Sequence, residues 1–295
     1  MIIFKSINNL NDSIKYYKKI INSKEAIIIL DFSSAGFIRN NYLSIIGLAL
    51  EMKIKENKQI QIIEPIKPKV KESLENIGFL SQFTNNIVGT DIHNTMVGYK
   101  NIDLNDWDGL YEFYTYFEQQ LNKNVNNLSS ELSNKIIQKI FELFSNVFRH
   151  SKSKLGFFCS GQFYPDNHKF YFTIVDGGVT IKNNVNEYLK SIFDDNKGLK
   201  NILKKYEEKN GIETIKWALI GNHSTTGEGG LGLSLLKELI EKSKGTLEII
   251  SNDGYYSIKD GVESEEVIKS NFNGTIISIG LNTNESTYYY LKDGE

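Results

Sequence analysis

A mostly apolar stretch in the middle of the chain carries three polar residues at a helical spacing. Glu142, Asn146 and His150 stand four residues apart within Ile-Phe-Glu-Leu-Phe-Ser-Asn-Val-Phe-Arg-His. This spacing places them on one stripe of an α-helix, for which Ser129 or Ser130 is the predicted N-cap. Because the surrounding residues are apolar, we predict a buried helix. A carboxylate and a carboxamide are costly inside such a helix unless they have partners. The sequence therefore predicts a ligand site here, and a Mg²⁺-nucleotide is the first candidate.

Composition narrows the class of protein. The chain has 295 residues, enough for two ordinary domains. Its formal net charge is −2 and it has no long basic run, so nucleic-acid binding through a basic face is not indicated. Cys159 is the only cysteine, and its apolar neighbours predict a buried, inert thiol. No signal peptide is visible, and no apolar run reaches the ~20 residues of a membrane span. We expect a cytoplasmic protein with no membrane contact.

The first part of the chain alternates between strand and helix patterns. Strands are predicted at 26–32 and 60–63, and helices at 41–55 and 69–77, with Gly78 as a C-cap. This order predicts a small α/β domain over residues 1–85. The polar, irregular segment 86–105 is predicted to be a linker, with a partial hairpin as the open alternative.

The remainder, residues 106–295, predicts an α+β domain in which a mainly antiparallel sheet backs helices. A long, mainly helical insertion is expected at 182–226. The other predicted elements are helices at 106–124 and 231–243, the helix that carries Glu142 after its predicted N-cap, and strands at 155–163, 170–175, 246–251 and 275–281.

Two glycine-rich segments add chemistry. Asp176-Gly-Gly follows an apolar strand, and glycine allows a backbone to approach a flat ligand closely. An aspartate there can accept a hydrogen bond from an exocyclic amine such as that of adenine, although Asp-Gly-Gly is also an ordinary turn. The second segment, Ser-Thr-Thr-Gly-Glu-Gly-Gly-Leu-Gly-Leu over 224–233, leads into a helix. Free N–H groups at a helix start form a phosphate cradle; a flexible loop is the plain alternative. The segment is neither a Walker A loop nor a Rossmann fingerprint.

In this order the segments resemble the GHKL ATPase superfamily, which includes type II topoisomerases and histidine kinases. The resemblance covers about residues 106–283 and implies a GHKL-type α/β sandwich. Glu142-x-x-x-Asn146-x-x-x-His150 resembles the N box. The two glycine boxes correspond to Asp176-x-Gly178 and to Gly227-x-Gly-Gly-x-Gly232-Leu, and Gly274-Thr275 stands where the family often has a threonine near adenine. One departure is Thr180, which replaces the last glycine of the first box.

The resemblance implies a role for each matching position. Asn146 would ligate Mg²⁺, Asp176 would bind the adenine amine, and Glu142 would orient or deprotonate the attacking water. His150 would either reach phosphate or cap the helix C-terminus as a cation. The residues expected to bind ATP are Asn146, His150, Asp176, Gly178, Ser224, Thr225, Thr226, Gly227, Gly229, Gly230, Gly232, Leu233 and Thr275.

The N-terminal segment Leu30-Asp-Phe-Ser-Ser-Ala-Gly-Phe37 is similar to the core of STAS domains, as in anti-sigma-factor antagonists. This resemblance covers about residues 1–85. Asn40 stands where those domains carry a phosphorylatable serine, so we expect no switching by phosphorylation at that position.

Three functions remain open from the sequence. The first is a Mg-ATP-binding protein with weak ATPase activity that acts as a nucleotide-dependent switch in a regulatory complex. The second is an anti-sigma-type serine kinase acting on a STAS-like partner, and the third is an ATP-stabilised scaffold. A histidine kinase is disfavoured because His93 lacks the usual phosphoacceptor context. Protein partners are expected, through the STAS-like domain, and a homodimer is an open alternative.

Overall fold

A computed structural model of the chain describes residues 1–124, 130–195, 206–220 and 232–283. The fold is α+β and contains an antiparallel sheet. The helices are α1 (Leu10–Ile21), α2 (Leu43–Lys55), α3 (Pro68–Asn76), α4 (Phe79–Phe83), α5 (Trp107–Asn124), α6 (Ser130–His150), α7 (Ile181–Asp195), α8 (Gly211–Leu219) and α9 (Gly232–Lys242). The strands are β1 (Ile2–Ile3), β2 (Ser6–Ile7), β3 (Ile27–Asp31), β4 (Phe37–Ile38), β5 (Gln59–Ile63), β6 (Met96–Ile102), β7 (Phe157–Tyr164), β8 (Lys169–Asp176), β9 (Thr246–Lys259) and β10 (Val262–Asn282).

We call residues 1–85 the N-terminal unit. It contains a three-stranded parallel sheet in the order β1-β3-β5, and a short parallel pair, β2 with β4. The continuous apolar run in β3 is buried at alternate positions against α1 and α2, as in a sheet covered by helices. A 3₁₀ turn, Asn40–Tyr42, leads directly into α2.

The large sheet has five strands in the order β6-β7-β8-β10-β9, and every neighbouring pair is antiparallel. Its edge strand β6 falls inside the segment predicted as a linker, so that prediction is wrong for Met96–Ile102. The hairpin of β9 and β10 is longer than predicted and extends beyond the sheet. Salt bridges join it to α8 and α9, from Lys216 to Glu265 and from Lys237 to Glu263.

One face of this sheet, which we call the α6 face, is apolar. Phe157, Phe172 and Ile277 point to this face and pack against residues of α5, α6 and α9 such as Phe117 and Phe144. Cys159 lies in the same core with no exposed surface, and burial raises the pKa of its thiol. The prediction of a buried thiol is therefore confirmed.

The opposite face, which we call the N-terminal face, carries a row of polar side chains across four strands. The register of the four strands places these side chains next to one another: Ser160, Thr173, Ser278 and Glu248. The 3₁₀ turn covers this polar row: Asn41 donates to Thr173 Oγ1 at 2.9 Å, and its carbonyl accepts from Ser160 Oγ at 2.9 Å. Because buried polar groups need partners, this match fixes where the turn docks.

The apolar rows that flank the polar row complete a shared core. Val175 and Ile276 from the sheet pack in the same cluster as Leu48 and Leu43 of α2. The N-terminal unit and the large sheet therefore bury one continuous apolar surface between them.

Asn40, the position compared with a phosphorylatable serine, lies within this interface. It has no exposed surface, and its Nδ2 donates to Ser73 Oγ at 2.8 Å and to Gln162 Oε1 at 3.0 Å. The chain's own sheet thus covers the region that includes Asn40.

In the part of the chain that the structure describes, no helix combines the length and the apolar character needed to cross a bilayer.

Candidate functional site

The helix α6 supplies the first part of the candidate site. Its buried side consists of apolar residues, whereas Gln138 and Arg149 on other sides are exposed. Glu142, Asn146 and His150 are half-buried. The prediction that this helix is buried nearly all round is therefore wrong, and the three polar side chains cost less than the sequence suggests. They remain on one stripe at the border of the core.

The turn after β8 lies against the end of α6. Val179 N–H donates to the carbonyl oxygen of Ser151, the residue after α6, and a Cβ on Gly178 would overlap that same oxygen. Only glycine permits this close approach. The segment Asp176–Gly178, which we call the Asp176 turn, is thereby fixed beside the helix end that carries Asn146 and His150.

Asp176 is the most perturbed group in this region. Its side chain lies at the end of β8 on the α6 face and is only 2% exposed. Oδ1 accepts a hydrogen bond from Gly178 N–H at 2.8 Å, yet burial raises the pKa of the carboxyl to about 7. Desolvation outweighs this single hydrogen bond because the ionised form loses most of its hydration.

Thr275 lies directly beside Asp176, since the two residues pair between β10 and β8. Side chains of directly paired residues share a face, so both belong to the α6 face. The Thr275 hydroxyl is 3.1 Å from Ser251 Oγ, on the next strand. The Ser251 hydroxyl already donates to the carbonyl oxygen of Gly274 and accepts from Ile181 N–H. The Asp176 carboxyl and the Thr275 hydroxyl are therefore the polar groups of this row that could contact a flat polar heterocycle.

The helix α9 meets α6 one turn before Glu142. Lys139 Nζ donates to the carbonyl oxygen of Leu235 at 3.2 Å and lies 3.7 Å from Glu238. Lys139 is on the same stripe as Glu142 and Asn146, so this stripe runs from α9 towards the Asp176 turn. Sequence analysis missed Lys139, although its position three residues before Glu142 could have indicated it.

The described residues include only the end of the second glycine-rich segment. Gly232 begins α9, and Leu233 packs against the main core. The other predicted phosphate-binding residues lie outside the described residues: Ser224, Thr225, Thr226, Gly227, Gly229 and Gly230.

Thr180, the departure from the glycine box, has a local structural role. Its Oγ1 accepts from Asn183 N–H at 3.1 Å and its carbonyl oxygen accepts from Asn184 N–H, so Thr180 caps α7. Asn184 Nδ2 also donates to the carbonyl oxygen of His150 at 3.0 Å, which ties α7 to the end of α6.

His150 is less suited to act as a helix-capping cation. Burial lowers the pKa of its imidazole, and the nearby charges of Arg149 and Lys152 lower it further. These effects favour the neutral form. The lowered pKa argues against the role of a helix-capping cation, and contact with phosphate stays a prediction.

Within the described ranges, no three His, Cys, Asp or Glu side chains converge to hold a metal ion. The Asn146 side chain offers a hard oxygen ligand, and Mg²⁺ is commonly held by one or two protein ligands while it keeps water and phosphate oxygens. The residues present thus fit a magnesium ion that arrives with a phosphate ligand.

No protein-family model matches the sequence, and comparison with curated proteins finds no similar sequence.

Proposed function

We propose that the chain binds Mg-ATP between α6, the Asp176 turn and the start of α9, hydrolyses it slowly and uses it as a nucleotide-dependent switch. The buried carboxyl of Asp176 is the observation that carries this proposal. In the described part of the chain, no lysine or arginine forms an ion pair with this carboxyl. Its burial therefore lowers the free energy of unfolding, and no ion pair compensates for that cost. A buried, perturbed acid in such a setting is typical of a functional site.

The proposed roles follow from chemistry and position. Asp176 would accept from the adenine amine, and Thr275 would contact the same base. Asn146 would ligate Mg²⁺, which would neutralise phosphate charge. Glu142 is half-buried one turn away on the same stripe, where a carboxylate can orient a water molecule. Backbone N–H groups at the start of α9 would bind the phosphates.

Phosphorylation of the chain's own N-terminal unit at position 40 is not supported as an alternative. Asn40 has no hydroxyl, and the large sheet covers it completely. Transfer of phosphate to a serine of another protein would label that protein, whereas hydrolysis would release phosphate. The assay described next measures the two separately.

The test uses purified full-length protein and γ-labelled Mg-ATP, with phosphate release, protein labelling and binding measured separately. We expect Glu142→Gln to retain nucleotide affinity within about twofold and to release phosphate about 100-fold more slowly, the usual contribution of a positioned base. Glu112→Gln, at an exposed position on α5, is the matched control and should change neither.

Two results would oppose the proposal. Wild-type protein that does not bind Mg-ATP at millimolar concentration would exclude it entirely. Equal turnover in Glu142→Gln and in wild type would remove the role of Glu142 while leaving nucleotide binding intact.

A further inference from the structure

The Asp176 turn is supported from behind by the N-terminal unit. Leu48 of α2 has no exposed surface, and its Cδ1 lies 3.2 Å from the place where a Cβ on Gly177 would stand. Ser151 holds Gly178 from the other side of the turn. The turn is therefore packed between α2 on one side and the end of α6 on the other.

A second contact supports the strand next to the turn. Tyr17 of α1 packs on Phe272, with ring centroids 4.9 Å apart. Two residues later, Gly274 has a φ of +131° and lies against the carbonyl oxygen of Asp176, too close for any side chain. Both backbone segments that frame Asp176 thus rest on the N-terminal unit.

The attachment of the N-terminal unit to the sheet has a defined geometry. Besides the contacts of Asn41, the backbone N–H of Ser44 donates to Ser160 Oγ at 3.1 Å, and Tyr42 OH donates to Glu248 Oε2 at 3.2 Å. Since closely packed interiors transmit displacement, a shift of α2 along the polar row would move Leu48 relative to Gly177.

From these contacts we infer that Leu48 is a positioning residue through which the N-terminal unit sets the affinity of the Asp176 turn for nucleotide. The inference rests on the proposed function. The N-terminal unit is then a built-in regulator: a partner that shifts α2 changes nucleotide affinity. By linkage, bound nucleotide changes the affinity for that partner by the same factor.

A double-mutant cycle in full-length protein tests this coupling. Leu48→Ala removes the side chain behind the turn, and Gly177→Ala adds a methyl group that presses on Leu48 Cδ1, which must give by a few tenths of an ångström. We expect each single variant to weaken Mg-ADP binding by about fivefold to tenfold, at the lower end of typical couplings between sites. In the double variant the vacated space accommodates the new methyl group, so binding should be tighter than in Gly177→Ala alone.

Leu74→Ala is the matched control, because Leu74 on α3 is equally buried in the same core. It should lower the free energy of unfolding by an amount similar to that for Leu48→Ala, but change Mg-ADP affinity by less than about twofold. If Leu48→Ala does not fold, Leu48→Met replaces it, since that change nearly conserves volume. We expect Leu48→Met to shift affinity in the same direction by a smaller factor.

The outcomes separate this inference from the proposed function. Wild-type protein that does not bind Mg-ADP overturns both. If wild type binds while Leu48→Ala and Leu74→Ala lose affinity equally, or if the effects of Leu48→Ala and Gly177→Ala are additive, only the role of Leu48 is overturned.

Discussion

Replacing Asp176 by asparagine should stabilise the protein at neutral and alkaline pH while weakening nucleotide binding. Burial raises the pKa of this carboxyl from 3.8 to about 7. One pKa unit corresponds to about 1.4 kcal/mol, so ionising Asp176 costs the folded protein about 4 kcal/mol relative to the unfolded chain. Asparagine has nearly the same shape, and its Oδ1 can still accept from Gly178 N–H.

The sign of the pH dependence follows from the raised pKa. The folded protein holds the Asp176 proton more tightly than the unfolded chain does, so this stabilisation is fully present below about pH 4. It is lost as the pH rises from about 4 through about 7. Asp176→Asn cannot lose a proton and should gain about 2 to 4 kcal/mol over wild type at pH 8, and much less at pH 5.

Urea denaturation of both proteins at pH 5 and pH 8 measures this difference. Burial also raises the pKa of Glu248. Because Glu248 is present in both proteins, its contribution to the pH dependence cancels in the difference. Asp106→Asn is the control, because exposed Asp106 makes the same kind of hydrogen bond, with Gly109 N–H at 2.8 Å. An Asp176→Asn gain that is equal at the two pH values would refute the argument, as would a loss of stability at pH 8.

Three further predictions concern the packing around the site. Gly178→Ala should lower the free energy of unfolding, measured by urea denaturation, by about 2 kcal/mol or more, because the added Cβ overlaps the Ser151 carbonyl. An unchanged denaturation midpoint would contradict this prediction. Asn41→Ala should lower the free energy of unfolding by about 1 to 3 kcal/mol in the same measurement, because Thr173 loses a buried hydrogen-bond partner. An unchanged free energy of unfolding would show that water replaces the amide. Cys159 should react with a thiol reagent only at the rate of unfolding, since its thiol is fully buried and its pKa is raised; rapid labelling of native protein would disprove this.

Periodicity in the sequence was sufficient to predict the well-packed elements. The apolar pattern of β8 and α6 follows directly from the side chains that each buries. It was not sufficient for β6, whose Gly98, Lys100 and Asn101 are poor strand formers. That strand is held by pairing with β7 on one side, which is tertiary information.

The candidate site was only partly predictable. The family resemblance predicted only that Asp176 and Thr275 would both lie near adenine. Their direct pairing between β8 and β10 is tertiary information, since nothing local links residues so far apart in sequence. The sequence prediction overestimated the burial of α6, because the aromatic residues around Gln138 and Arg149 dominate the pattern of that stretch. The docking of Asn41 could not be predicted, because Ser160 and Thr173 alternate with apolar residues as they would in a strand with one solvated face.

The interface between the N-terminal unit and the large sheet has a consequence for biosynthesis. Asn41 and Ser278 meet across the polar row but are 237 residues apart in the chain. At roughly 5 to 20 residues per second, a ribosome needs about 10 to 50 s to make the intervening chain. Until β7 and β8 are made, roughly halfway through that interval, the apolar surface of α2 that packs on them in the finished fold is not covered by the large sheet. The nascent N-terminal segment then exposes apolar surface, which favours aggregation and chaperone capture. Its docking onto the finished sheet depends on contacts between residues far apart in the chain, which are expected to form late.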